Sequence, residues 1–296
     1  MEVIIIEINI VSSLLESINS IFSSLISSIN NNIYLILDDL LFISTDIFEG
    51  THFTYLLGSK ENPGLIYICN SLIYGFMLYY AFSYLLSHLT FAQVQKPSSF
   101  IFKLLLCAIA INSCRTICFA TIYTNSALST AIKSVGENLF GTKISFSNLI
   151  NNLNSSIYAE EAFNLFTFKG LIRAFISIGF VNLAISYSLR YILVQVFILI
   201  CPFAILSLSI EKFSWIFKAW CKTFLSLLFL QIMVSMILLI TFSLDFNQND
   251  VFSELIYIGS IFAIIRANSF LKEFMGGLTT DINFGLTTIK NLIIGG

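Results

Sequence analysis

The sequence predicts an all-α polytopic membrane protein with about five transmembrane helices, one of them long and bent at a proline, behind a set of N-terminal amphipathic helices. Three observations carry that prediction. Of 296 residues, 57% are hydrophobic and 11% charged, with a mean hydropathy of +0.88; soluble domains run at about 45–50% and about 25%. Too little polar surface remains to coat a water-soluble body, so the excess must face lipid. Long apolar runs recur from residue 65 onward, and the basic residues between them divide unevenly between two sides.

Residues 1–64 carry a seam. Ile4, Ile8, Val11, Leu15, Ile18, Phe22, Leu25 and Ile29 recur at alternating steps of four and three, and the alternation continues through Ile33, Ile36, Leu40, Ile43 and Ile47. Polar and acidic residues fill much of the space between. This spacing predicts amphipathic helices, extracytoplasmic or interfacial, broken near Asn30, Asn31 and Asn32. The seam lies on its own bundle or the bilayer surface, or packs against neighbouring copies. Glu2 and Glu7 stand where a secretory signal would carry positive charge.

Pro63-Gly64 introduces a first span, Leu65 to about His88. Its tyrosines (67, 74, 79, 80, 84) and Asn70 imply that part of it faces other protein. After a loop holding Lys96 and Pro97, a second span runs from about Lys103 to Thr124. Arg115 lies near its middle, where a charge costs about 2.5–3.5 kcal/mol, so it is expected to face the bundle interior or snorkel. Residues 125–168 read as a folded extracytoplasmic loop, in which Phe140, Phe146, Leu149, Ile150 and Leu153 suggest a short amphipathic piece.

The segment Leu171–Leu208 is either one helix, about 57 Å long, or two spans joined at "YSLRY". That junction has neither glycine nor proline, which argues against a tight hairpin. Charge decides. One crossing puts Lys96, Lys103, Lys212, Lys218, Lys222, Arg266, Lys272 and Lys290 on a common side, and the acidic turn at 245–250 on the other. Two crossings would put Lys212, Lys218 and Lys222 outside and the acidic turn inside, against the positive-inside rule. Spans at about Thr223–Leu244 and Val251–Ala267 complete a transmembrane domain over residues 65–267. The N-terminus is then outside, and a tail, 268–296, is cytoplasmic.

Between the third and fourth spans lies "LICPFAILSLSIEKFSWIFKAWCKTF". Pro202 lacks an amide donor and bends or ends the long helix. Over 211–224, helical spacing puts Phe213, Ile216, Phe217, Trp220 and Phe224 on one side and Glu211, Trp215, Lys218 and Lys222 on the other. This predicts a cytoplasmic interfacial shelf, its aromatic side in the headgroup boundary. It serves as a membrane anchor, or as a docking platform for a cytosolic partner such as an ATPase. Arg190, about 18 Å along the helix from Pro202, must find water, a carbonyl or an acid. It is either a structural arginine tied to carbonyls and hydroxyls such as Ser186 and Ser188, or it lines a polar passage between subunits.

Chemistry is excluded more readily than function. His52 and His88 are the sole histidines, and nucleotide-binding, metalloprotease and hydrolase motifs are absent. Six cysteines sit in or beside spans and read as reduced packing residues. No enzyme activity, cofactor or metal is expected.

The run from Arg190 to Gln231 resembles the core of TrbL-type polytopic subunits of conjugation and type IV secretion systems. Arg190, Pro202, Phe217-Lys218, Trp220, Lys222 and Gln231 occupy the places of the family's pattern. The resemblance implies a bacterial plasma-membrane protein that helps form a passage for DNA or protein substrates. It would work as several copies with other secretion subunits and their ATPases, without sequence-specific nucleic-acid binding. The alternative is the permease subunit of an ATP-driven exporter, the shelf acting as a coupling helix.

Overall fold

The computed structural model describes residues 16–21, 24, 36–48, 50–58, 64–90, 96–157, 168–244 and 251–275. Most of the seam before residue 36, the asparagine break, Pro63, the acidic turn 245–250 and the tail from 276 lie outside the described residues. Every regular element among them is helical. Among the described residues three helices are long and apolar enough to cross a membrane, four if one bent pair counts as a single span.

After a 3-10 turn at Thr45–Phe48, α1 (Thr51–Leu57) precedes α2 (Leu65–Thr90), the first long span. Next comes α3 (Pro97–Asn112), which starts on a proline at a position that needs no amide donor. The sequence reading carried one helix to Thr124, but the helix breaks at Ser113. There α4 (Cys114–Phe140) begins, bent by 60° from α3. The amide of Asn112 accounts for part of the break: its Nδ2 bonds back to the Ala108 carbonyl and to Asn70 of α2. Residues 125–140, expected in a loop, extend α4 instead. Gly141, at φ 64°, caps that helix in the left-handed conformation. The amphipathic piece predicted nearby is α5 (Phe146–Ile157).

Leu171–Leu208 does not fold back. A single helix, α6 (Phe168–Leu206), contains the whole "YSLRY" stretch and also Pro202. At 39 residues it is about 58 Å long. The chain turns after Leu206 rather than at the proline. In that turn the hydroxyls of Ser207 and Ser209 donate to the Ala204 and Leu206 carbonyls, satisfying acceptors left open at the helix end. Two 3-10 turns, Ser207–Ser209 and Glu211–Phe213, then lead directly into α7 (Ser214–Ser243). The last helix, α8, covers Val251–Met275, and its apolar stretch Leu255–Ala267 is shorter than the helices long enough to cross a membrane.

Two hydrogen bonds fix the register of α6 and α7 as antiparallel. Trp220 Nε1 donates to the Phe197 carbonyl at 2.8 Å, and Arg190 Nε to the Leu227 carbonyl at 2.8 Å. Seven residues forward on α7 thus match seven back on α6. The side-chain pairs Asn125–Gln231 and Ser129–Ser235 make α4 and α7 parallel, four residues on for each. The helices enclose two apolar cores. One gathers α2, α3, the start of α4, the end of α6 and the start of α7. The other gathers α5, the first half of α6, the second half of α7 and α8.

The described part of the N-terminal region belongs to both cores. Residues 36–41 are helical, and Leu37, Leu41, Ile43, Ile47 and Phe48 are buried. The seam therefore lies on its own bundle here. Its register holds at Ile43 and Ile47 but shifts by one residue earlier, because Ile36 is exposed and Leu37 and Leu41 point inward. Asp38 sets that rotation. Its carboxylate accepts the Phe146 and Ser147 amides at 2.8 and 3.2 Å and the Ser147 hydroxyl at 2.6 Å. With Ser145 Oγ accepting the Asn148 amide, the first three N–H groups of α5 are satisfied. Asp38 thus acts as a cap from a remote segment. Asp38→Ala is expected to cost about 0.5–2 kcal/mol, the range for loss of an N-cap. Hydrogen exchange should quicken at Phe146 and Ser147 first; unchanged protection there would contradict the capping role.

Candidate functional site

A polar layer separates the two apolar cores. On α4 the last fully buried apolar residue of the first core is Ile122, and the next inward positions are Asn125 and Ser129. Facing them on α7 are Gln231 and Ser235, both buried; Asn125 Nδ2 donates to Gln231 Oε1 at 3.3 Å, and the two serine hydroxyls are 2.7 Å apart. On α6, Asn182, Ser186 and Arg190 follow one another at helical steps of four, a single stripe. Buried polar groups favour partners among themselves. The α4–α7 pairs have them, whereas Asn182 Oδ1 on α6 is buried without a hydrogen-bond partner among the described residues.

Arg190 is the centre of the layer. It is 0% exposed, the largest fully buried side chain in the described chain. Its Nε bonds to the Leu227 carbonyl of α7 and its Nη1 to the Leu41 carbonyl of the N-terminal segment, at 2.8 and 2.9 Å, while Nη2 has no partner. The Tyr187 ring lies 5.8 Å from the guanidinium carbon. The expected carbonyl ligands are present, but they are Leu41 and Leu227 rather than hydroxyls of Ser186 or Ser188. Leu41 belongs to one core and Leu227 to the other, so one guanidinium ties three separate stretches of chain where the cores meet. Enclosed in this way, Arg190 does not line an open passage through this chain.

Arg115 is elsewhere. It lies exposed on the first turn of α4, just after the Ser113 break, and not inside the bundle. The inward positions of that turn are held by Cys114 and Cys118, both 0% exposed. Those two thiols contact Cys201 of α6. All six cysteines are free, and five are buried.

The shelf is not a separate interfacial helix. Ser214 starts α7, so Trp215, Lys218, Trp220 and Lys222 occupy its first turns and continue into a span. The two faces read from spacing are largely correct: Trp220 and Phe224 are buried, while Trp215, Lys218 and Lys222 are exposed. Their neighbours differ from expectation. Trp220, stacked between Phe217 and Phe224, packs on α6 and donates to its Phe197 carbonyl. The aromatic side therefore covers protein, not headgroups; Phe213, expected with it, is exposed. Glu211 is engaged by Lys103 of α3 at 2.7 Å.

Among the described residues no group of three or more histidine, cysteine or acidic side chains is placed to hold a metal. A half-open cleft of about 340 Å³ lies between the N-terminal segment and α6, with Asp39 and Asp46 on one wall and Tyr191 on the other. Sequence reasoning missed the Leu41 carbonyl, since a backbone acceptor has no sequence signature. It also missed Asn125 and Ser129, whose spacing of four would have marked an inward stripe had the helix been carried past Thr124. The chain matches no family model, no curated protein and no solved structure.

Proposed function

We propose that the chain is an integral membrane channel and scaffold subunit of a bacterial type IV secretion apparatus, of the TrbL type. It would sit in the plasma membrane with its N-terminus outside and its C-terminus in the cytoplasm. Five crossings then come from α2, the bent α3–α4 pair, α6, α7 and α8. Other secretion subunits, their ATPases and further copies of the chain are its partners, and DNA or protein passes by it in transit.

The observation that carries this reading is the placement of the residues that bear the resemblance. Arg190, Pro202, Trp220 and Gln231 all sit buried on the α6–α7 pair. Arg190 and Trp220 cross-link its two helices, and Gln231 joins α4. A rigid pair of long helices suits a scaffold against which other subunits assemble. The outward tyrosines of α2 fit the same role. Tyr67, Tyr74 and Tyr79 are 64%, 71% and 58% exposed on a span, where phenols favour protein neighbours over hydrocarbon. The exporter alternative would use a lateral coupling helix; between α6 and α7 the described chain has two 3-10 turns, Ser207–Ser209 and Glu211–Phe213, which favours the scaffold reading.

Arg115, exposed at the bend, is the residue from which to test a passage. A photoreactive side chain there is expected to capture DNA or protein while transfer is running. Capture of lipid alone during normal transfer would reject the passage role.

A further inference from the structure

The outward face of α7 changes character within three residues. Trp215, Lys218 and Lys222 open it, and Leu225, Phe229, Met236 and Ile240 continue it. At 100° per residue these positions fall within an arc of about 80°, and every one of them is exposed. The preceding turn adds Lys212 and Phe213, also exposed. Glu211, the acid of that turn, is already held by Lys103. Among the described residues neither Lys218 nor Lys222 has an ion-pair partner.

We propose that this face binds an anionic phospholipid. Its phosphate rests on Lys218 and Lys222 beside the Trp215 ring, and an acyl chain runs along Leu225 and Phe229. The dimensions agree. From Lys222 to Phe229 is about 10 Å along the helix, within one leaflet of a hydrocarbon core about 30 Å thick. Charge selects the headgroup, since each lysine near the surface attracts anionic lipid. Continuity favours lipid, because the apolar run from Leu225 begins within a turn of Lys222 on the same face. One phospholipid places its phosphate on the lysines and its own acyl chain on Leu225 and Phe229, whereas a soluble acidic protein, excluded from the hydrocarbon, meets only the lysines. The site does not depend on the secretion reading, because it requires only that α7 cross a membrane.

Tryptophan fluorescence tests it. Trp220 is buried against Phe197, so quenching by brominated lipid reports on Trp215, which is 64% exposed. In reconstituted bilayers, brominated phosphatidylglycerol is expected to quench more strongly than brominated phosphatidylcholine at equal fraction. Lys218→Gln with Lys222→Gln should weaken that preference about thirtyfold, while Lys218→Arg with Lys222→Arg retains it. Both lysines are exposed, so unchanged melting of either double variant shows an intact fold. Equal quenching by the two lipids in the unaltered protein, or an unchanged preference in the glutamine variant, would overturn the site. So would a photocrosslinker at Lys222 that captures an acidic protein in native membranes in place of lipid.

Discussion

Arg190→Ala is expected to cost about 3–4 kcal/mol and to loosen residues 36–48 before it unfolds the bundle. Two hydrogen bonds from a charged donor are lost, each contributing about 1.5–3 kcal/mol, and a side chain that is 0% exposed leaves a cavity. Removing a buried ion offsets part of that loss. Arg190→Met separates the contributions. Its volume is similar and it carries no charge, so α6 and α7 should stay near their original stability. The Leu41 carbonyl, however, loses its partner at 2.9 Å, and an orphaned buried acceptor costs about 1–3 kcal/mol. In lipid nanodiscs the methionine variant should melt close to the unaltered protein while residues 36–48 become open to protease and hydrogen exchange. If that segment stays protected in both variants, Arg190 does not hold it, and the joining of the two cores has another cause.

Much of this was legible in the sequence, and the parts that were not share a physical reason. The unbroken course of α6 could be read because residues 187–191 contain no residue that ends a helix and because the lysines after it weigh on one side. The faces of the α7 start could be read as well, since a period of 3.6 separates Trp220 and Phe224 from Trp215, Lys218 and Lys222. Period says which residues share a face but not what covers it, so the aromatic face was assigned to headgroups when α6 covers it. The bend at Ser113 left no mark: "INSCR" holds neither proline nor glycine, and the break depends on Asn70 of α2 reaching Asn112. The one-residue shift of the seam near Leu37 has a similar origin, because Asp38 is rotated by its bonds to Phe146 and Ser147, more than a hundred residues away. Long-range polar contacts decide such details, and local periodicity does not encode them.

Gly64→Ala is the second substitution expected to cost heavily, about 2–3 kcal/mol, although alanine is the smallest change available. The chain leaves α1 through Gly58 and enters α2 beside Gly64, and the two glycines touch backbone to backbone. A methyl group on Gly64 would lie 2.6 Å from both the Gly58 Cα and the Leu56 carbonyl oxygen. Neither atom can swing aside as a side-chain tip would, so the close approach has to open. Gly58 restricts the remedy, since its φ of 114° lies where only glycine is comfortable. The expected consequence is detachment of α1, read as exposure of Leu57, which is 1% exposed in the intact fold. Gly75→Ala is the matched control: nothing lies within 4 Å of the added methyl, and a mid-helix position should gain up to about 1 kcal/mol from the better helix former. If both alanine variants melt alike, the contact between Gly58 and Gly64 does not constrain the fold, and the attachment of α1 rests on its other contacts, among them Leu57, the Phe53 ring on Phe48 and the Thr54 hydroxyl bonded to the Phe48 carbonyl.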